Sequence, residues 1–203
     1  MGHCLIDFST RVCAAFVALF LSVSFVSAEN RLAIAEWFES HSLPVPNRYR
    51  LVVCHGFDCT FRTLVALNEI DRATLQRMFN APTPDAERKG LARAVAWFDR
   101  RVAKQAGTAG AKARAANRAG DPSQYDCIDR TSNTMSLISV LADWGMLKHH
   151  KLDAPASRGI VLPHTTAVVI ETKSGKSWAV DPWTHNSGEL PDVLPLAIWS
   201  SRS

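Results

Sequence analysis

The stretch from Cys127 to Leu147 constrains the fold more than any other part of this 203-residue chain. Ile128, Met135, Leu137, Ile138, Val140, Leu141, Trp144 and Leu147 spread over much of the circumference of a helix. A helix that is apolar on most sides has to be enclosed by other elements, so the expected domain wraps this segment. Gly145 near its end suits a terminator.

Ahead of that segment, residues Asn30 to His41 carry a loosely helical pattern ending at Pro44 and Pro46, and Tyr49 to Cys54 reads as a strand. Leu64, Leu67, Ile70, Leu75, Met78 and Phe79 recur at helical spacing and predict one helix that stops near Ala81-Pro82. Thr83-Pro84-Asp85-Ala86-Glu87 combines a hydroxyl cap, a proline at the first helical position and acids at the positive end of the dipole. The helix it opens is expected to run to Gln105, burying Leu91, Val95, Phe98 and Val102 while Arg93, Arg100, Arg101 and Lys104 face water. Residues 107–124 lack large apolar side chains and read as a surface loop or frayed helix, from which Lys112, Arg114 and Arg118 could touch anionic polymers.

After the central helix comes a loop with Pro155 and Gly159. Two short strands follow, Thr166 to Glu171 and Ser177 to Asp181, joined through Lys173-Ser174-Gly175-Lys176. The tail, with Pro191, Leu194, Pro195, Leu196 and Trp199, is expected to pack as an irregular strap, and Trp144, Trp178 and Trp183 as core. The pattern is α+β: N-terminal helices plus a central helix packed on a small antiparallel sheet.

Residues 1–28 have the form of a secretory signal peptide: Arg11, an apolar run from Val12 to about Val23, and Val26-Ser27-Ala28 before the cut. Cleavage removes one base and one acid, leaves 22 basic against 18 acidic residues, and keeps the net charge at +4 over a single domain of residues 29–203. A dispersed excess of that size excludes nucleic acid as a partner. The expected location is periplasmic or secreted, with no stable membrane span after cleavage. Of 5 cysteines, Cys4 and Cys13 leave with the peptide. Cys54 and Cys59, separated by a glycine-containing turn in an oxidising compartment, are expected to form a disulfide. A zinc site using Cys54, His55 and Cys59, with His149 or His150, is the alternative.

That leaves Cys127 as an odd thiol at a helix start. A thiol attacks an acyl carbon as thiolate, and a helix N-terminus or a neighbouring imidazolium lowers its pKa. His164, at the mouth of a strand after Pro163, is the candidate base; Asp181 would orient it, and Gln124 could donate to an oxyanion. An inert buried thiol is the alternative for Cys127. No cofactor is called for.

Tyr125-Asp126-Cys127 opening an apolar helix, His164-Thr165-Thr166-Ala167-Val168-Val169, a turn at Gly175, and Trp178-Ala179-Val180-Asp181-Pro182-Trp183 resemble the core of the transglutaminase-like superfamily, a branch of the papain-like thiol enzymes, here in an exported bacterial form. The resemblance covers residues 124 to 183. It implies Cys at a helix start, His on one strand and Asp on the next, and chemistry that hydrolyses or exchanges amide bonds of peptides or other envelope amides through a thioester. The chain departs from the family in having Asp126 before Cys127 and Thr166 two places after His164. A symmetric turn at Ser174-Gly175 would also set Asp181 opposite Val168, four residues or about 13 Å from His164, so a bulge or longer turn is required. Strict pairing instead sets His185 opposite His164, a possible metal pair. A catalytically silent envelope binding or scaffolding protein is the second expectation.

Overall fold

The computed structural model describes residues 30–202, so the signal peptide expected over residues 1–28 lies outside the described residues. In chain order come helix α1 (30–40), strands β1 (Arg50–His55) and β2 (Phe61–Ala66), and helix α2 (Glu69–Gln76) continued by a 3-10 turn at Arg77–Phe79. Helices α3 (Pro84–Ala106) and α4 (Cys127–Asp143) follow, then strands β3 (His150–Arg158), β4 (His164–Glu171), β5 (Ser177–Asp181) and β6 (Asp192–Pro195), and helix α5 (Leu196–Ser200). The architecture is α+β, with β1 and β2 in one antiparallel sheet and β3-β4-β5-β6 in another, also antiparallel.

Helix α4 sits between the two sheets, packed on β1 on one side and on β3 and β4 on the other. Every residue from Asp129 to Ile138 is buried. The enclosure the apolar pattern demanded is therefore present, but it takes in six consecutive polar side chains, Asp129 to Thr134, the middle four of which reach out to other elements. Successive helical residues project about 100° apart, so each meets a different neighbour. Arg130 forms an ion pair with Asp99 of α3 and lies over the Tyr125 ring. Thr131 Oγ1 donates to Thr165 O of β4 at 3.0 Å, and Ser132 Oγ accepts Trp37 Nε1 of α1 at 3.1 Å. Asn133 accepts Cys54 N–H at 2.7 Å and donates to Cys54 O at 2.8 Å, completing β1 as a neighbouring strand would.

The expected helix over Leu64 to Phe79 is corrected. Its first part is strand β2, which returns along β1 from Arg50↔Ala66 to His55↔Phe61, and helix begins only at the Asn68 cap. Leu64 and Ile70, counted into an apolar stripe, are 63% and 77% exposed. Cys54 and Cys59 are joined as a disulfide across the hairpin turn. The Pro155 loop is likewise a strand: β3 is an edge strand, and its register shifts between Asp153 and Ala156, where proline is tolerated. The tail is β6 and α5 rather than a strap. Helix α3 matches its expected cap and stripe, with Thr83 Oγ1 accepting Ala86 N–H and Gly107 closing it at φ 72°.

The β4–β5 register decides the site. Val169 pairs with Trp178 and Ala167 with Val180, two residues displaced from the symmetric turn. The connection is longer: Glu171 N–H donates to Lys176 O and Gly175 N–H to Glu171 O. Continued one step, this register sets Asp181 opposite Thr166, two residues from His164 and on the same face of the sheet.

Glu87 ties α3 to the start of the larger sheet. Fully buried, it accepts N–H groups from Lys148, His149 and His150 and pairs with the His150 ring at 2.9 Å. Burial pushes its carboxyl up, but the imidazole and the backbone amides outweigh burial and leave it below the ordinary 4.5. A depressed carboxyl stabilises the fold above its unfolded pKa and loses that contribution as pH falls through the folded one. Glu87→Ala should therefore cost about 3 kcal/mol in urea unfolding at pH 7, with the gap to wild type closing as pH drops below about 4.5.

Candidate active site

Cys127 is the first residue of α4, and the local sequence explains why the helix starts there. Asp126 Oδ1 accepts Asp129 N–H at 2.8 Å, and Asp129 reaches back to Asp126 N–H at 3.2 Å, a reciprocal capping box. The same two carboxylates bind the disulfide loop. Gly56, Phe57, Asp58 and Cys59 all have positive φ, a run that turns successive N–H groups to one side and forms an anion-binding concavity. Asp129 accepts Phe57 N–H and Cys59 N–H, both at 2.8 Å, and Asp126 Oδ2 accepts Asp58 N–H at 3.0 Å. Burial and the charge of Asp126 push Asp129 above the usual carboxylate range, against the N–H groups that hold it down.

His164 is the first residue of β4. Its Nε2 lies 2.6 Å from Asp181 Oδ2, at the end of β5. Asp181 also accepts Trp199 Nε1–H at 2.8 Å and Trp183 N–H at 3.1 Å. Burial pushes this carboxyl up, but His164, Trp199 and the Trp183 amide together draw it below its ordinary value. An ionised Asp181 requires Nε2 to carry the proton, which leaves Nδ1 as the basic nitrogen. Nδ1 is buried and has no hydrogen-bond partner among the described residues. Trp183 and Trp199 flank the ring, with centroids 4.6 and 5.4 Å away.

The Cys127 thiol lies against the residues on either side of that histidine. Sγ is 3.9 Å from Pro163 O, and Thr165 N–H is directed at it. Cys127 is half-buried and shares with His164 the wall of a cavity of about 470 Å³, along with Phe57, Asp126, Leu162, Trp183, Arg114, Arg158 and Arg202. Burial, Asp126 and Asp181 raise the thiol above its ordinary 9.0, against the Thr165 amide. At rest Cys127 is therefore a thiol, and it shares the cavity wall with a histidine whose Nδ1 has no partner among the described residues.

Of the four residues singled out in the sequence, Cys127, His164 and Asp181 come together and Gln124 does not. The Gln124 side chain is buried elsewhere, accepting Lys112 N–H at 2.9 Å and donating to Ser123 Oγ at 3.1 Å, so it holds the 107–124 loop and does not line the cavity. Sequence reasoning missed Trp199 and took Trp183 for core. No spacing rule links residue 199 to residue 181; the link exists only because β6 pairs with β5 and α5 folds back over it. His185 pairs with Asp192 at 3.4 Å, and the shifted register removes the pairing that would have set it opposite His164. Among the described residues, Cys54, Cys59 and Asp129 form the one cluster spaced to hold a metal. The two sulfurs are spent on each other and Asp129 on backbone amides. The zinc alternative at Cys54, His55 and Cys59 is excluded by the same bond, and His55 is occupied by Pro122 O and Thr63 Oγ1.

No family model matches the chain, and neither does any curated protein or solved structure compared with it.

Asp126→Asn keeps a capping side chain while removing the nearest charge that raises the thiol. The midpoint of iodoacetamide alkylation of Cys127 against pH, above 9 in the wild type, should move down in this variant. An unchanged midpoint would mean that the carboxylate does not act on the sulfur.

Proposed function

We propose that this chain is an exported thiol-dependent amide-bond hydrolase or acyltransferase with a papain-like or transglutaminase-like core, acting on a peptide or other amide of the cell envelope. One observation carries this reading: the imidazole of His164 is held through Nε2 by a buried carboxylate, its Nδ1 has no partner among the described residues, and His164 lines the same cavity as Cys127. Base, orienting acid and nucleophile come from three separate elements, which a purely structural histidine does not require.

In the proposed mechanism Nδ1 takes the thiol proton as Sγ attacks the amide carbon. The oxyanion that forms is met by the first two N–H groups of α4, those of Cys127 and Ile128, since Asp129 N–H is taken by Asp126. Collapse of the tetrahedral intermediate breaks the C–N bond, and Nδ1–H protonates the departing amine. The thioester is then opened by water or a second amine, whose proton returns through Nδ1 to the sulfur. Because burial and Asp126 hold Cys127 as a thiol at rest, its proton moves when substrate is bound. Export is supported by the signal-like residues 1–28 and by the Cys54–Cys59 disulfide. Among the described residues no helix is long and apolar enough to cross a membrane.

The raised thiol and the Asp126 carboxylate beside it favour a second reading, a catalytically silent envelope binding protein on the same fold. Labelling with a thiol-reactive acyl probe separates the two. Wild-type protein should be acylated at Cys127, and Cys127→Ala should lose all labelling while keeping its circular dichroism. Absence of labelling in the wild type, or labelling that persists in the variant, would leave the silent reading standing.

A further inference from the structure

The charge on the cavity wall is one-sided. Three arginines and no lysine line it, against one carboxylate, Asp126. That carboxylate is committed, one oxygen to Asp129 N–H and the other to Asp58 N–H. The guanidinium groups are not equally engaged. Arg158 is braced by donation from a single nitrogen to Trp199 O and Arg202 O, and it lies 4.5 Å over the Trp199 ring, so its remaining N–H groups have no partner among the described residues. Arg202 reaches Asp192 at a long 3.4 Å. Arg114 makes no side-chain hydrogen bond or ion pair among the described residues. Its backbone is nevertheless fixed, with N–H donated to Trp183 O at 2.9 Å and φ at 51°, a conformation rarely adopted by residues with a side chain.

We propose that the acyl donor accepted by this cavity carries a carboxylate, held by Arg114 and Arg158 with Arg202 at the rim. The inference rests on Cys127 being the nucleophile and names the class of amide it attacks. A planar guanidinium fork matches the two oxygens of a carboxylate, and its charge is permanent. A cavity of about 470 Å³ falls in the range that encloses a small organic ligand, so an anionic group held at the arginines stays close to the reacting carbon. The rest of the substrate meets an apolar lip. Ile160, Val161 and Leu162, 99%, 90% and 86% exposed, lie on the β3–β4 turn, whose Gly159 and Leu162 line the cavity. The fitting substrate is a short peptide with an apolar residue and either a free C-terminal carboxylate or an acidic side chain.

Two measurements test this. The first is calorimetric binding of three N-acetylated alanine tripeptides to Cys127→Ala: one with a free C-terminus, one amidated, and one amidated with a central glutamate. At least one acidic peptide should bind about tenfold more tightly than the neutral one, the preference should shrink in 0.5 M salt, and Arg114→Gln should reduce it to within about twofold. Which acidic peptide gains identifies the source of the carboxylate. The second is the ratio of iodoacetate to iodoacetamide alkylation rates at Cys127, which should exceed that of a free thiol such as glutathione and fall in Arg114→Gln. Equal binding of all three peptides, or a ratio equal to that of the free thiol, overturns the proposal even if an acyl probe labels Cys127. Carboxylate preference without acyl labelling would instead overturn the enzyme reading and leave an anion-binding cavity.

Discussion

Burial of polar side chains on every side of α4 is the constraint on which the rest of the structure depends. A buried hydroxyl, amide or guanidinium left without a partner costs on the order of 1–3 kcal/mol, so Arg130, Thr131, Ser132 and Asn133 cannot be enclosed by hydrocarbon alone. Each instead engages a different element: α3, β4, α1 and β1. Apolar packing around α4 is nearly indifferent to rotation or sliding by a turn. These four contacts are not, and they fix the helix in one orientation. The sulfur of Cys127, one turn earlier, is thereby aimed at the start of β4.

Two further clamps hold the thiol and the imidazole. On the thiol side, the left-handed run from Gly56 to Cys59 presents its amides to Asp126 and Asp129, joining the disulfide hairpin to the first turn of α4. On the histidine side, Asp181 is held by Trp199 and by the Trp183 amide and in turn holds His164. The carboxylates therefore have opposite effects. Asp181, supplied with donors, stays ionised and orients the imidazole, whereas Asp126 stabilises the helix start at the cost of a thiol that ionises less readily.

Much of this was legible in the amino acids because it depends on local chemistry. The Thr83-Pro84 cap, the buried face of α3, the Cys54–Cys59 pairing and the central burial of α4 follow from spacing and composition. What could not be read was set by pairing. Phe61 to Ala66 has enough apolar residues at mixed spacing to pass for a helix and is a strand because the disulfide turn folds it back on β1. Pro155 masked β3 because its position at a bulge on an edge strand is a property of the sheet. The two-residue lengthening of the β4–β5 turn, which brings Asp181 to His164, depends on how the residues from Glu171 to Lys176 close on themselves. The same applies to Trp199, Arg158 and Arg202, which meet only once β6 and α5 have folded over the sheet.

Cys127 and His164, 37 positions apart in the chain, line one small cavity, and the proposed chemistry requires the sulfur and Nδ1 of the imidazole to meet there. A short bifunctional alkylating agent such as 1,3-dibromoacetone, applied to the folded protein and followed by peptide mapping, reads that proximity directly. One bridged species joining Cys127 to His164, lost on unfolding in urea, is the expected product. Attachment of the reagent to Cys127 at one end only, or a bridge from Cys127 to a different side chain, would contradict that proximity.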